Sequence, residues 1–228
     1  MRLATTFFLA LVCLRGDTLK EVLDRMDADA VAFKGLTAKV KRIEYSAPPL
    51  NETTETDGDL TLRKDRKGVA ALMDFMATKD PKQYLFRDNQ YQEYLPKLNL
   101  INEYDLGKSS SMVNQFVALG FGSSGKELQK NYTIEQRGVE VLKIADKEVK
   151  VTKLELVPKS AEALKMLKRI EFWIPEGKSY AVKLKMYQPS GNTDTAIYSN
   201  IQINPATLND HSVELKAPKN AKREKINK

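Results

Sequence analysis

"YLFRDNQYQEYLP", residues 84–96, decides how the chain is read. Tyr84 and Phe86 alternate with Leu85 and Arg87, and Tyr91 and Tyr94 follow after Asp88-Asn89. Asp and Asn tolerate the left-handed backbone of a tight turn, so two alternating runs around such a pair read as a β-hairpin. Pro96 has no N–H to give to a ladder, and pairing is expected to stop there. Aromatic side chains this dense on a hairpin fill a closed core, stack on nucleotides, or line a wall against something apolar. The rest of the chain has to choose among the three.

Outward from the hairpin, strand patterns dominate. "LTAKV" and "RIEYS" (36–46) alternate with a slip of phase near Lys41, which predicts a bulge. "GDLTLRK" (58–64) puts Leu60 and Leu62 on one face. "GVAALMDFM" (68–76), ending in Phe75 and Met76, is apolar on both faces and is expected mid-sheet, covered on both sides. After Tyr132 the pattern predicts strands over 132–143, 147–157, 169–174, 180–187, 195–203 and 212–216, with turns at Asp146-Lys147, Glu176-Gly177, Ser190-Gly191 and Asn209-Asp210. Before the strands, residues 18–33 repeat Leu19, Val22, Leu23, Met26, Ala30 and Phe33 at helical spacing behind a Thr18-x-x-Glu21 capping box. "MVNQFVALGF" (112–121) predicts a second helix with Met112 and Phe116 on its apolar stripe, and Ser124-x-x-Glu127 opens a third. "SAEALKML" (160–167) fits a short helix or a wide loop. Ten or eleven strands joined by short turns form an antiparallel sheet, and a sheet so wide must curl. The expected fold class is α+β: a strongly curved antiparallel half-barrel with helices covering the concave face.

Charge removes the nucleotide reading. The formal net charge is +7, but it is not spread over the domain. Arg2 and Arg15 flank an apolar run, Leu3 to Leu14, which is too short to span a bilayer and reads as a secretory leader cut after Gly16. Six Lys/Arg against one Glu fall in the last thirteen residues, 216–228. The body between is neutral and offers no basic face to a phosphate backbone, so no nucleic-acid partner is expected. Three segments result: a leader over 1–16, a domain over 17–216, and a basic tail over 217–228 expected to be disordered. Cys13, the one cysteine, lies in the leader. It is either one more apolar leader residue or a lipid attachment point, although Val12 before it is poorly suited to lipidation. A mature chain without cysteine is stabilised by its core rather than by disulfides.

Chemistry is sparse. The single histidine, His211, sits in the turn "LNDHS", and zinc would need three or four ligands. No nucleophile elbow, phosphate loop or dinucleotide fingerprint occurs, and "GFGSSGK" (120–126) lacks phosphate-loop spacing. No enzymatic activity, metal or cofactor is expected. The remaining reading of the aromatic hairpin is a wall against apolar ligand. Leu60, Leu62, Phe75, Tyr84, Phe86, Tyr91, Tyr94, Met112 and Phe116 are the expected cavity residues. Trp173 in "IEFWIP" is expected half buried or more, near the same concave wall or its rim.

The order of these elements resembles the LolA family of outer-membrane lipoprotein carriers. The resemblance rests on "LKEVLDRMDADAVAFKGLTAKVK" leading into the first strand, on "DGDLTLRK", on "FRDNQYQEYLP", and on "IEFWIPEGKSYAVKLKMYQPSGNTDTAIYSNIQIN" followed by "SVELKAPKN". It covers roughly residues 18–218. The resemblance implies a periplasmic monomer whose half-barrel and helical lid enclose the acyl chains of lipoproteins or other lipids. It implies an inner-membrane ABC transporter as donor and an outer-membrane acceptor of the same fold. A basic residue at the end of the second strand, here Arg63 or Lys64, would contact the lid. A membrane-anchored LolB-like acceptor and an RseB-like envelope sensor share the fold and are the alternative readings.

Overall fold

The structure is a computed structural model and describes residues 16–65, 68–106 and 119–226. Helix α1 (Leu19–Ala32) leads into β1 (Gly35–Ser46), β2 (Glu52–Asp65), β3 (Gly68–Asp74), β4 (Gln83–Arg87), β5 (Gln90–Leu95) and β6 (Leu100–Asp105). Helix α2 (Gly125–Asn131) precedes β7 (Tyr132–Ile144) and β8 (Lys147–Pro158). Helix α3 (Ala161–Met166) precedes β9 (Arg169–Pro175), β10 (Lys183–Tyr187), β11 (Thr193–Ile203), a 3-10 turn (Asp210–Val213) and β12 (Lys222–Ile226). The twelve described strands form one open sheet in the order β12-β6-β5-β4-β3-β2-β1-β11-β10-β9-β8-β7. All neighbours are antiparallel except β12 and β6.

Local sequence explains most of these elements. Thr18 caps α1: its hydroxyl accepts the Glu21 N–H, and the Glu21 carboxylate accepts the Thr18 N–H at 2.7 Å. Ser124 caps α2 through the Glu127 N–H at 3.1 Å. The β4–β5 turn has Asp88 and Asn89 at φ 51° and 61°, and the β7–β8 turn has Ala145 and Asp146 at 45° and 63°. Two consecutive positive-φ residues match the twist of the flanking strands, so both hairpins close tightly. The 160–167 segment is the short helix α3, capped by Ser160. The expected bulge near Lys41 is displaced. β1 pairs with β2 without a slip from Gly35 to Ser46, and its one shift is against β11, between Thr37 and Lys39.

The sheet buries apolar side chains on both faces. On one, Val22, Leu23 and Met26 of α1 and Leu128 of α2 share a buried cluster with Leu36, Leu62, Leu154, Leu156, Ile170 and Phe172 of the strands. On the other, Leu72 and Leu85 are buried under Val213, with Leu215 beside them. β3 therefore buries apolar residues on both faces, Ala71 on one and Leu72 on the other, as its doubly apolar pattern suggests. Gly58 belongs to this packing: a Cβ there would lie 2.5 Å from Phe75 Cδ1, so only glycine lets that ring close onto β2.

The end of the chain departs from expectation. Residues 212–216 are not a strand and 222–226 are not disordered. Val213 and Leu215 cross the outer face of β3 and β4, and the Lys216 N–H donates to the buried Gln83 Oε1 at 2.8 Å. The Lys216 ammonium then reaches Asp74 Oδ2 at 2.7 Å. β12 pairs with β6 from Lys222↔Leu100 to Ile226↔Tyr104, and Arg223 is bonded to Glu103. The basic composition suggested a solvated tail. A free strand edge on β6 and acidic side chains beside it supply the partners that composition does not show.

Candidate functional site

A cleft of about 390 Å³ lies against the sheet. Its wall comes from seven adjacent strands: Tyr91 of β5, Tyr84 and Phe86 of β4, Ala71 and Met73 of β3, Leu60 of β2, Val40, Arg42 and Glu44 of β1, Asp194, Ala196 and Tyr198 of β11, and Leu184 and Met186 of β10. Leu119 and Phe121 meet it from the segment before α2. Seven flat strands would spread over about 29 Å at the usual spacing, so side chains from all of them line one cleft because the sheet bends around it. The volume lies within the roughly 300–1,000 Å³ range of small-molecule sites.

Sheet register builds the wall. Leu62, Ala71, Phe86, Tyr91 and Tyr104 stand opposite one another from β2 to β6. Leu60, Met73 and Tyr84 form the next row. The rings link these rows: Phe75, just past β3, meets Tyr84 edge-on at 6.0 Å, Tyr84 stacks on Tyr91 of the neighbouring row at 5.9 Å, and Tyr91 lies 5.4 Å from Tyr104 in its own row. On the far side, Phe121 packs edge-on to Tyr198 at 4.8 Å. Next to Phe121, Gly122 lets the Phe33 ring of the α1 end close onto this segment. It has φ 71°, and a Cβ on it would sit 2.1 Å from the Phe33 ring. Burial pushes the phenols of Tyr91 and Tyr198 well above the ordinary tyrosine range, so both hydroxyls stay neutral.

One corner is charged. Arg42 Nε donates to the two Asp194 oxygens at 3.2 and 3.0 Å, Nη2 also bonds Asp194, and Nη2 lies 2.9 Å from Glu44. Burial opposes the Arg42 charge, but Asp194 and Glu44 outweigh it and raise its pKa further. The guanidinium stands 5.9 Å from the centre of the Tyr84 ring.

Of the expected cavity residues, Leu60, Tyr84, Phe86 and Tyr91 line the cleft. Leu62 and Phe75 do not. They are packed into the buried core beside it, with 1% exposure each. Tyr94 is buried on the opposite face, three residues from Tyr91 and paired with Gln83. Met112 and Phe116 lie outside the described residues. Lys64 Nζ reaches the Gly122 carbonyl at 3.5 Å, whereas Arg63 is paired with Asp210 at 2.6 Å. Trp173 is buried to 3% exposure, but in a cluster with Ile144, Val151 and Val182, not at the cleft. Its indole N–H donates to Glu140 at 2.8 Å.

Sequence reasoning missed Arg42, Glu44, Asp194 and Tyr198. Their one signal is that Val40, Arg42 and Glu44 share a strand face, so that charges face inward beside an apolar residue. The partner strand lies about 150 residues away, and only the fold joins β1 to β11.

A second cleft, about 340 Å³, opens between the end of α1, Gly122-Ser123, residues 177–180 and the end of β11. Its polar groups serve the fold: Ser179 donates to Asp29 at 2.6 Å, and Asn204 accepts the Lys34 N–H at 2.7 Å. Among the described residues, no group of three or more His, Cys, Asp or Glu is placed to hold a metal. No described helix is long and apolar enough to cross a membrane.

No protein-family model and no curated protein matches the chain. Similar solved structures exist. An uncharacterised conserved protein from Thermus thermophilus has 10% identity and TM-score 0.54 over 92% of this chain and 100% of its own. MucB has 9% identity and TM-score 0.51 over 87% of this chain and 63% of its own. A LolA superfamily protein from Nitrosomonas europaea is also similar, with 11% identity and TM-score 0.39 over 87% of this chain and 98% of its own. At such identities the likeness is one of fold.

Proposed function

We propose that the chain is a non-catalytic carrier of acyl chains in the bacterial envelope. Exported by its leader, it holds the chains of lipoproteins or other lipids in the cleft and moves them between membranes, from an inner-membrane transporter to an outer-membrane acceptor. The helices and the segment around Leu119 and Phe121 cover the concave side as a lid. Lys64, bonded to the Gly122 carbonyl, ties that segment to the sheet.

The observation that carries this reading is the apolar wall itself. Leu60, Ala71, Met73, Phe86, Leu184 and Ala196 face one cleft, which the buried core of the described residues leaves open. An acyl chain laid there leaves water at a gain of roughly 0.8 kcal/mol per CH₂. Extraction from a membrane then needs no chemistry, only a competing apolar surface.

The test is displacement of a fluorescent lipid by straight-chain ligands. Sixteen-carbon ligands should displace it at far lower concentration than eight-carbon ones. Met73→Trp, which fills the cleft, should weaken binding by about tenfold or more while the circular dichroism stays unchanged, since a blocked cleft forfeits several buried CH₂ groups. Equal displacement at both lengths, or no effect of the substitution, would remove the carrier reading.

A further inference from the structure

The cleft is apolar except at one corner, and that corner constrains what the rest of a ligand can be. Along β1 the inward side chains run Val40, Arg42, Glu44, and across from them on β11 stand Tyr198, Ala196 and Asp194. Polarity therefore changes sharply along the strand direction, from aliphatic wall to ion cluster. A long-chain amphiphile lying along the strands would place its chain on the wall and its polar end at the cluster.

The cluster is not an anion site, although it contains an arginine. One cation meets two carboxylates. Arg42 forks onto Asp194 and touches Glu44 at 2.9 Å with the same nitrogen. To grip an incoming anion it would have to abandon Asp194, whose side chain is only 18% exposed, and leave a largely buried carboxylate unpaired. Lys82 stands 5.9 Å from the centre of the Tyr84 ring, but it is itself 3.9 Å from Asp80. The surplus charge at the cleft is negative, and beside an apolar wall it is screened less than in water.

We infer that Glu44 and Asp194 make the cleft select its ligands by the charge at the end of the chain: amines bind best, neutral hydroxyls next, and carboxylates worst. This rests on the carrier reading, because it presupposes a chain in the cleft. Glu44, with its side chain 40% exposed, is the outer of the two carboxylates and the one an ammonium reaches first. Asp194 holds Arg42 in place and so keeps that cation from answering an anion.

The experiment uses the purified chain with uncharged N-phenyl-1-naphthylamine as the fluorescent probe. It is displaced at neutral pH by dodecylamine, dodecanol and dodecanoate, each below its micellar concentration. Dodecylamine should displace at about one tenth of the dodecanoate concentration or less, with dodecanol between, as one surplus negative charge in a poorly screened site predicts. Glu44→Gln should shrink that ratio to about threefold or less. Glu55→Gln, an exposed strand residue paired with Lys41, should leave it unchanged. Equal displacement by all three ligands overturns the charge selection and leaves the carrier reading standing. Tightest binding of dodecanoate also overturns it and would make Arg42 an anion anchor. Displacement by none of the three removes the carrier reading itself. A ratio untouched by Glu44→Gln, with the fold intact by circular dichroism, overturns the role of Glu44.

Discussion

Trp173 shows what side-chain placement does to function. It stands on β9 between Phe172 and Ile174, which face the main core, so alternation turns the indole to the other face. There Lys183 lies 4.3 Å and Lys153 4.9 Å from the ring centre, and Glu140 accepts its N–H. Burial against the indole pushes the Lys183 ammonium down, with Glu140 opposing. The ring is sealed off from the cleft by the sheet. Its emission should therefore stay constant when a long-chain ligand saturates the protein, and shift on Glu140→Ala. An emission shift on ligand binding would place the ligand elsewhere than against Tyr84 and Tyr91.

Among the elements, the strap from Val213 to β12 depends most visibly on a single charge. Burial alone would raise the Asp74 carboxyl, but Lys216, the Met76 N–H and the Gln83 amide hold it below the usual carboxylate range. A group whose pKa is lower in the folded chain contributes fully above its unfolded value, near 3.9, and loses that contribution as pH falls through the folded value. The Lys216–Asp74 contact should thus release the strap in acid. Hydrogen exchange at β12, corrected for intrinsic rate, should quicken as pH drops below about 4, and Asp74→Asn should quicken it already at neutral pH. Protection that ignores both would mean that the apolar pair Val213 and Leu215 holds the strap alone.

For the whole molecule, β12 decides how the sheet ends. Deleting 217–228 removes the strand that covers β6 and leaves its backbone donors and acceptors bare, a template for pairing with another chain. The shortened chain should self-associate as concentration rises in sedimentation velocity. Its midpoint should also fall by roughly 2–8 °C, the fall that a loss of about 1–2 kcal/mol gives for a domain this size. A monomeric truncation with an unchanged midpoint would show that β6 protects its own edge. The charged cleft corner, by contrast, lies between β1 and β11, far along the sheet order from this edge, and should bind ligand unchanged.

Much of this architecture is local chemistry. The Thr18–Glu21 capping box, the left-handed Asp88-Asn89 turn, the alternation of "YLFR" and "QYQEYL" and the doubly apolar "GVAALMD" each specify their own element, because period and turn chemistry act over a few residues. Four of the expected wall residues, Leu60, Tyr84, Phe86 and Tyr91, face the cleft for the same reason: alternation assigns a face. It does not say how a residue is packed on that face, which is why Leu62 and Phe75 are buried in the core beside the cleft rather than lining it. Alternation itself turns Tyr94, three positions on from Tyr91, to the opposite face. The strap, the parallel β12 and the Arg42–Asp194–Glu44 corner were decided by tertiary structure alone. Each joins residues more than a hundred positions apart, or, for charges, depends on burial that composition cannot report. A lysine-rich tail and an inward arginine acquire their roles only when the folded sheet puts an edge or a carboxylate beside them.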